Sequence, residues 1–174
     1  TLTVGYIPAN LRSSGEILAG AAPTAFDESE RFLTTAGQMM IDPTDIGPDS
    51  QLQLDTAVSG DKTEFYYTVL HELGHVLGIG PLWNVPPSSA SSQFPAELIT
   101  ARQLVFDGNT GDPIDVKDHS DWPSVNPVYK GVHGVSAYNE ITGLDVDALP
   151  VEDTGQQGTA GVHPEEDLHG RGYL

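Results

Sequence analysis

Apolar and polar positions fall into short runs punctuated by Gly, Pro and Ser, with one long periodic stretch among them. Leu2–Ile7 is apolar and β-favouring and stops at Pro8, which predicts a strand. Glu16–Ala22 reads as weakly helical or irregular, and Phe26–Leu33 as polar with a short turn of helix. Gly37–Ile46 carries the run Met39–Ile41 and then Pro43, the pattern of an edge strand ending in a turn. Pro48–Gly60 reads as a loop anchored by Leu52 and Leu54.

Asp61–Leu77 is the periodic stretch. Phe65, Val69, Leu73 and Val76 recur at steps of three or four, the period of an amphipathic helix. Asp61 and Glu64 have capping-box spacing, and Gly78, Gly80 and Pro81 are stop signals. Asn84–Phe94 is a Pro/Ser-rich loop, and Pro95–Phe106 predicts a second helix. Asp107–Pro127 is acidic and irregular, Val132–Ile141 predicts a third helix, and Leu149–Leu174 is loop-like.

The 174 residues suit one domain, and the 38% apolar share together with 19 glycines is that of a folded globular chain. Seven basic residues against 25 acidic ones give a net charge of -18. Nucleic acid needs clustered Lys and Arg and is excluded as a partner; an anionic membrane surface is disfavoured on the same ground. Such a charge favours cations, divalent metals included. The chain has no cysteine, so disulfides and Cys-ligated metal centres are excluded. No apolar run is long enough to span a membrane.

Inside the long helix stands His71-Glu72-Leu73-Gly74-His75. Two histidines at i and i+4 share one helical face, so both imidazoles can reach one metal ion. Glu72 lies one step round the helix and can hold a water without being a ligand itself. This H-E-x-x-H spacing is that of a zinc site with a Glu general base. A catalytic zinc has a third protein ligand. Gly78 follows His75 by three, which is the opening of the metzincin motif, but Pro81 stands where its short form places a third His. The residues alone leave His119, His133, His163 and His169 as candidates. His119 reads by default as a solvated loop residue and His133 as a surface or packing residue.

At this point the chain resembles the leishmanolysin-like zinc metallopeptidases of the metzincin group. His71-Glu72-Leu73-Gly74-His75-Val76-Leu77-Gly78-Ile79-Gly80-Pro81-Leu82-Trp83 is similar to that family's zinc helix and exit, with Pro81 for the usual Thr. The likeness extends to Gly15–Pro23, Gly37–Ile46, Tyr129–Gly143, Pro150–Asp153 and Gly158–His163. It implies an α+β, zincin-like domain over residues 1–174, with a small mixed sheet packed on a long zinc-binding helix. The N-terminal lobe would span about 1–80, and a loop-rich C-terminal lobe, about 81–174, would supply the third ligand. It implies zinc on His71, His75 and His163, with Glu72 as catalytic base of an endopeptidase. A protein or peptide substrate would lie extended along the Met39–Ile41 strand. It also implies secretion, and the start at Thr1, with neither Met nor a basic-then-apolar leader, reads either as a removed leader or pro-segment or as a shortened chain. Two departures stand out. Pro164 replaces the Trp that usually follows the third His. Methionines occur only at Met39 and Met40, so His169 takes the place of the methionine that packs beneath the metal.

Asp107–Asp115 alternates oxygen-bearing side chains with glycine, a composition that suits Ca2+ as a second cofactor. Two rival functions follow from these features. One is a catalytically impaired metal-binding module, and the other is a calcium-dependent adhesion or matrix protein. Oligomeric state has no signal in the sequence.

Overall fold

The computed structural model describes residues 1–8, 18–27, 33–47, 52, 54, 57–83, 103–114, 124–154 and 160–165. The chain is α+β and divides into two compact units, Thr1–Ile79 and Gly80–Gly172.

The first unit is built on a three-stranded sheet. Strands β1 (Leu2–Tyr6), β2 (Ala19–Phe26) and β3 (Thr34–Ile41) lie in the order β1-β3-β2. β1 runs parallel to β3, with Val4 opposite Met39, and β2 runs antiparallel to it, with Ala21 opposite Met39. Two expectations from sequence change here. The Met39–Ile41 run lies in the central strand, with both of its edges paired, and not in an edge strand. Residues Ala19–Ala22, expected to be helical or irregular, form a strand. The stretch is Ala-Gly-Ala-Ala-Pro-Thr-Ala, and its small residues carry no local β signal. Pairing with β3 overrides that weak preference, and the register shifts beside Pro23, where an amide donor is missing.

β4 (Ala57–Ser59) and β5 (Lys62–Thr63) form a small hairpin that leads into helix α1 (Glu64–Val76). The expected loop to Gly60 therefore ends in paired backbone. Asp61 does not cap the helix. Thr63 does, its hydroxyl accepting from the amide of Tyr66 at 3.2 Å. Asp61 instead lies 3.0 Å from Lys62 Nζ at the exposed turn. Leu52 is a buried anchor, whereas Leu54 is exposed.

The apolar stripe of α1 does what its period predicts. Phe65, Val69 and Leu73 pack on a core of Met39, Ile41 and Leu52, joined by Ala19 and Ala21 of β2. Gly37 of β3 permits the close approach, because a Cβ there would stand 2.5 Å from Val76 Cγ1. The helix ends at Leu77, and the chain turns through left-handed glycines, Gly78 with φ 95° and Gly80 with φ 86°. These conformations are open to glycine at little cost.

The second unit has its own core of Trp83, Val105, Ile114, Tyr129, Val135, Tyr138, Leu149, Val151 and Ala160. A second sheet runs in the order β6-β7-β8, all antiparallel, from β6 (Val105–Asp107), β7 (Pro127–Tyr129) and β8 (Leu149–Pro150). Val105 and Phe106 are thus in a strand and not at the end of a helix; most of the expected Pro95–Phe106 helix lies outside the described residues. Helix α2 (Val132–Thr142) matches the expected Val132–Ile141 and is closed by left-handed Gly143 with φ 72°. Asn139 ties the chain beyond it, donating to the Val146 carbonyl at 2.9 Å and accepting from the Val146 amide at 3.1 Å. Phe26 ends β2 and Asp27 follows outside any helix, its amide donating to Leu33 O at 2.8 Å; residues 28–32 of the expected short helix lie outside the described residues.

Candidate metal centre

His71 and His75 lie one turn apart on α1, their ring centroids 4.5 Å apart and their planes nearly perpendicular. Spacing along the helix accounts for the pairing. His75 is buried, and its Nδ1 lies 2.8 Å from the carbonyl oxygen of Ile79. A carbonyl only accepts, so Nδ1 carries the proton and Nε2 keeps its lone pair. The turn that presents the Ile79 carbonyl is closed by its own amide donating to Gly74 O at 3.0 Å. The left-handed glycines on either side of Ile79 thus serve a chemical end, since they aim a backbone acceptor back at a ring on the helix.

Burial lowers the pKa of His75, the bond to Ile79 partly opposes this, and the neighbouring His71 adds to the lowering. The neutral form, which binds metals, is favoured.

Glu72 is 5% exposed, and its Oε2 has no hydrogen-bond partner. Burial pushes its carboxyl up from 4.5 to about 7. A buried carboxylate without a compensating partner is costly to keep charged. A cation beside it, or a water that it can hold, is what such a group lacks.

Of the histidines left open by sequence, His133 and His163 are described, and the structure brings His163 to the helical pair. His71, His75 and His163 each offer a ring nitrogen, and these nitrogens lie within 4.8 Å of one another. Three neutral imidazoles are a common donor set for zinc and for other first-row divalent ions. The three histidines could therefore hold a metal ion. His133 is exposed on α2. His119 and His169 lie outside the described residues.

His163 owes its place to a short antiparallel ladder at the end of β8. Val151 bridges Pro164, the Glu165 amide donates to Pro150 O at 3.0 Å, and the Glu152 amide donates to His163 O at 2.9 Å. Gly161, with φ 79°, donates its amide to Glu152 O at 2.8 Å and turns the chain into the ladder.

The acidic Asp107–Asp115 segment is a self-satisfied turn over its described part. Asp107 Oδ1 accepts from the Asn109 amide at 2.8 Å, and Thr110 Oγ1 from the Asp112 amide at 3.2 Å. Among the described residues, the three histidines form the one cluster of three or more His, Asp or Glu that could hold an ion. Asp115 lies outside them. No helix of the described residues is long and apolar enough to cross a membrane.

The chain matches no model of a known protein family and no curated protein.

Proposed function

We propose that the protein is a zinc-dependent endopeptidase of the zincin type, as the leishmanolysin-like resemblance implies. One observation carries the reading. Three histidine ring nitrogens lie within 4.8 Å of one another, and the residue beside the first of them is a buried glutamate with an unpartnered oxygen. A carboxylate so placed can hold and deprotonate a water, which is the group that metal-assisted hydrolysis needs beside its three ligands.

His71, His75 and His163 would hold the ion. Zinc supplies Lewis acidity toward water and toward the scissile carbonyl. Glu72 takes a proton from the attacking water and passes it to the leaving amine. Its raised pKa suits a group that must both accept and release a proton near neutrality. Ile79 O keeps His75 in the tautomer with Nε2 free. His71 and His75 are both rigidly based on α1, so their spacing does not depend on loop order.

The substrate strand expected at Met39–Ile41 is revised, because β3 is paired on both sides. Among the described strands of this sheet, β2 packs on α1 and pairs with β3 on one side, leaving its other edge for an extended peptide. Secretion fits such an enzyme and is part of the same proposal.

The test is cleavage of a mixed peptide library by purified protein. Activity should vanish with a chelator, return with stoichiometric zinc, and be absent in Glu72→Ala that still binds zinc. Zinc bound at one ion per chain without any cleavage would make the protein a metal-binding module instead. Calcium-dependent melting with neither zinc binding nor cleavage would point to the adhesion or matrix reading.

A further inference from the structure

The short ladder at the end of β8 has a second consequence. Its register is fixed by the Val151–Pro164 bridge and by hydrogen bonds on both sides of it. Counting outward by one residue on each strand makes Glu152 and His163 a directly opposed pair. Directly opposed residues of an antiparallel ladder project to the same face, with Cβ atoms about 4.5–5.5 Å apart. Both side chains are half-buried. The backbone of Glu152 is pinned twice to the histidine loop, through its amide to His163 O and its carbonyl to the Gly161 amide. The backbone pairing thus sets a residue bearing a carboxylate opposite one bearing an imidazole.

We infer that Glu152 is a positioning residue for His163, its carboxylate accepting one ring N–H of the imidazole so that the other nitrogen presents its lone pair to the metal. The role toward metal rests on the proposed reading of His163 as a ligand; the pair itself does not. Histidine ligands generally donate their second ring N–H to a carboxylate or carbonyl, and loss of that partner weakens metal binding by about 10–100-fold. His75 has this arrangement with a carbonyl, from Ile79. Glu152 gives His163 the carboxylate version. His71 and His75 are fixed by a helix, whereas His163 comes from a turn and has more need of a partner to set its ring.

Nitrogen-detected NMR of the metal-free, full-length protein reads the tautomer of each histidine directly. His163 should be a single neutral tautomer with a slowly exchanging N–H. Glu152→Ala should convert it to a mixture, and Glu152→Gln, which keeps an acceptor oxygen, should preserve the single tautomer. In competition with a chromogenic chelator, Glu152→Ala should hold zinc about 10–100-fold more weakly and Glu152→Gln should recover most of the loss. A mixed tautomer in the wild-type protein overturns the proposal without need of any variant, as does a Glu152→Ala spectrum unchanged at His163. A fixed His163 tautomer in a protein that binds no zinc leaves the pair standing and overturns the ligand reading alone.

Discussion

The Nδ1–H of His75 is donated to the carbonyl of Ile79, 2.8 Å away and just past the end of the helix that carries the ring. A ring on a helix normally has no backbone acceptor to bond, because the carbonyls of its own turn are taken. Here the chain leaves the helix through Gly78 and Gly80, both left-handed, and folds the Ile79 carbonyl back. The helix stop and the tautomer of the candidate ligand are therefore one feature.

Replacing Gly78 with alanine should disturb both at once. A non-glycine residue at φ 95° costs roughly 1–2 kcal/mol. Relief of that strain would shift Ile79, and the His75 ring would lose its anchor. We expect a lower thermal midpoint and a weaker zinc affinity, read by differential scanning calorimetry and chelator competition. A variant that melts earlier yet binds zinc as tightly as the parent would detach the turn from the ligand.

Gly74 behaves differently although it lies inside α1, between His71 and His75. A Cβ there would meet the Ile79 side chain at 3.8 Å, which is ordinary contact. Glycine in a helix interior costs about 1 kcal/mol relative to alanine. Gly74→Ala should therefore raise the thermal midpoint by roughly 2–4 °C, with zinc affinity unchanged. Destabilisation would show that the turn needs flexibility at this position.

The helix, its apolar stripe and the histidine pair were legible because all three are set by spacing within a few residues. Phe65, Val69 and Leu73 recur at the helical period, and His71 and His75 share a face for the same reason. What was not legible depends on partners distant in sequence. The small residues of β2 form a strand only because β3 lies beside them. Met39–Ile41 became central and not an edge because β1 and β2 close on it from both sides. Asp61 has good cap spacing, but the β4–β5 hairpin draws it into the turn, and Thr63 is left at the helix start. His163 was singled out by a resemblance of motif, not by physical reasoning from the residues. The opposition of Glu152 to it appears only once the ladder register is known.

Gly37 tests the packing beneath the site. A methyl group there would stand 2.5 Å from Val76 Cγ1 and 3.2 Å from Ala22 O, between β2, β3 and the residue after His75. Overpacking of this kind costs about 1–3 kcal/mol. Gly37→Ala should lower the urea midpoint accordingly, and Val76→Ala introduced with it should recover part of the loss by making room. Additive losses in the double variant would mean that the two residues do not compete for the same space.

Glu72 gives the pH dependence. Its carboxyl sits at about 7 in the folded, metal-free protein against 4.5 for the ordinary group, with burial as the cause. A raised carboxyl contributes stability that is fully present below 4.5 and is lost as pH rises through about 7. By linkage the full loss is roughly 3 kcal/mol. His75 has the opposite sign: its lowered pKa makes stability fall as pH drops below 6.5. Glutamine in place of Glu72 keeps the shape but cannot ionise. In urea titrations of the metal-free protein, Glu72→Gln and wild type should have similar midpoints at pH 4.5, and the variant should be the more stable at pH 8. Bound zinc should shrink the difference at pH 8, because a nearby cation favours the charged carboxylate. If the same substitution removes a general base, it should also lower peptide hydrolysis by about 10²–10⁴-fold while zinc remains bound. A midpoint difference that is the same at both pH values would mean that the carboxyl is not buried in an unfavourable ionised state, and a variant that cleaves at the wild-type rate would remove Glu72 from the chemistry.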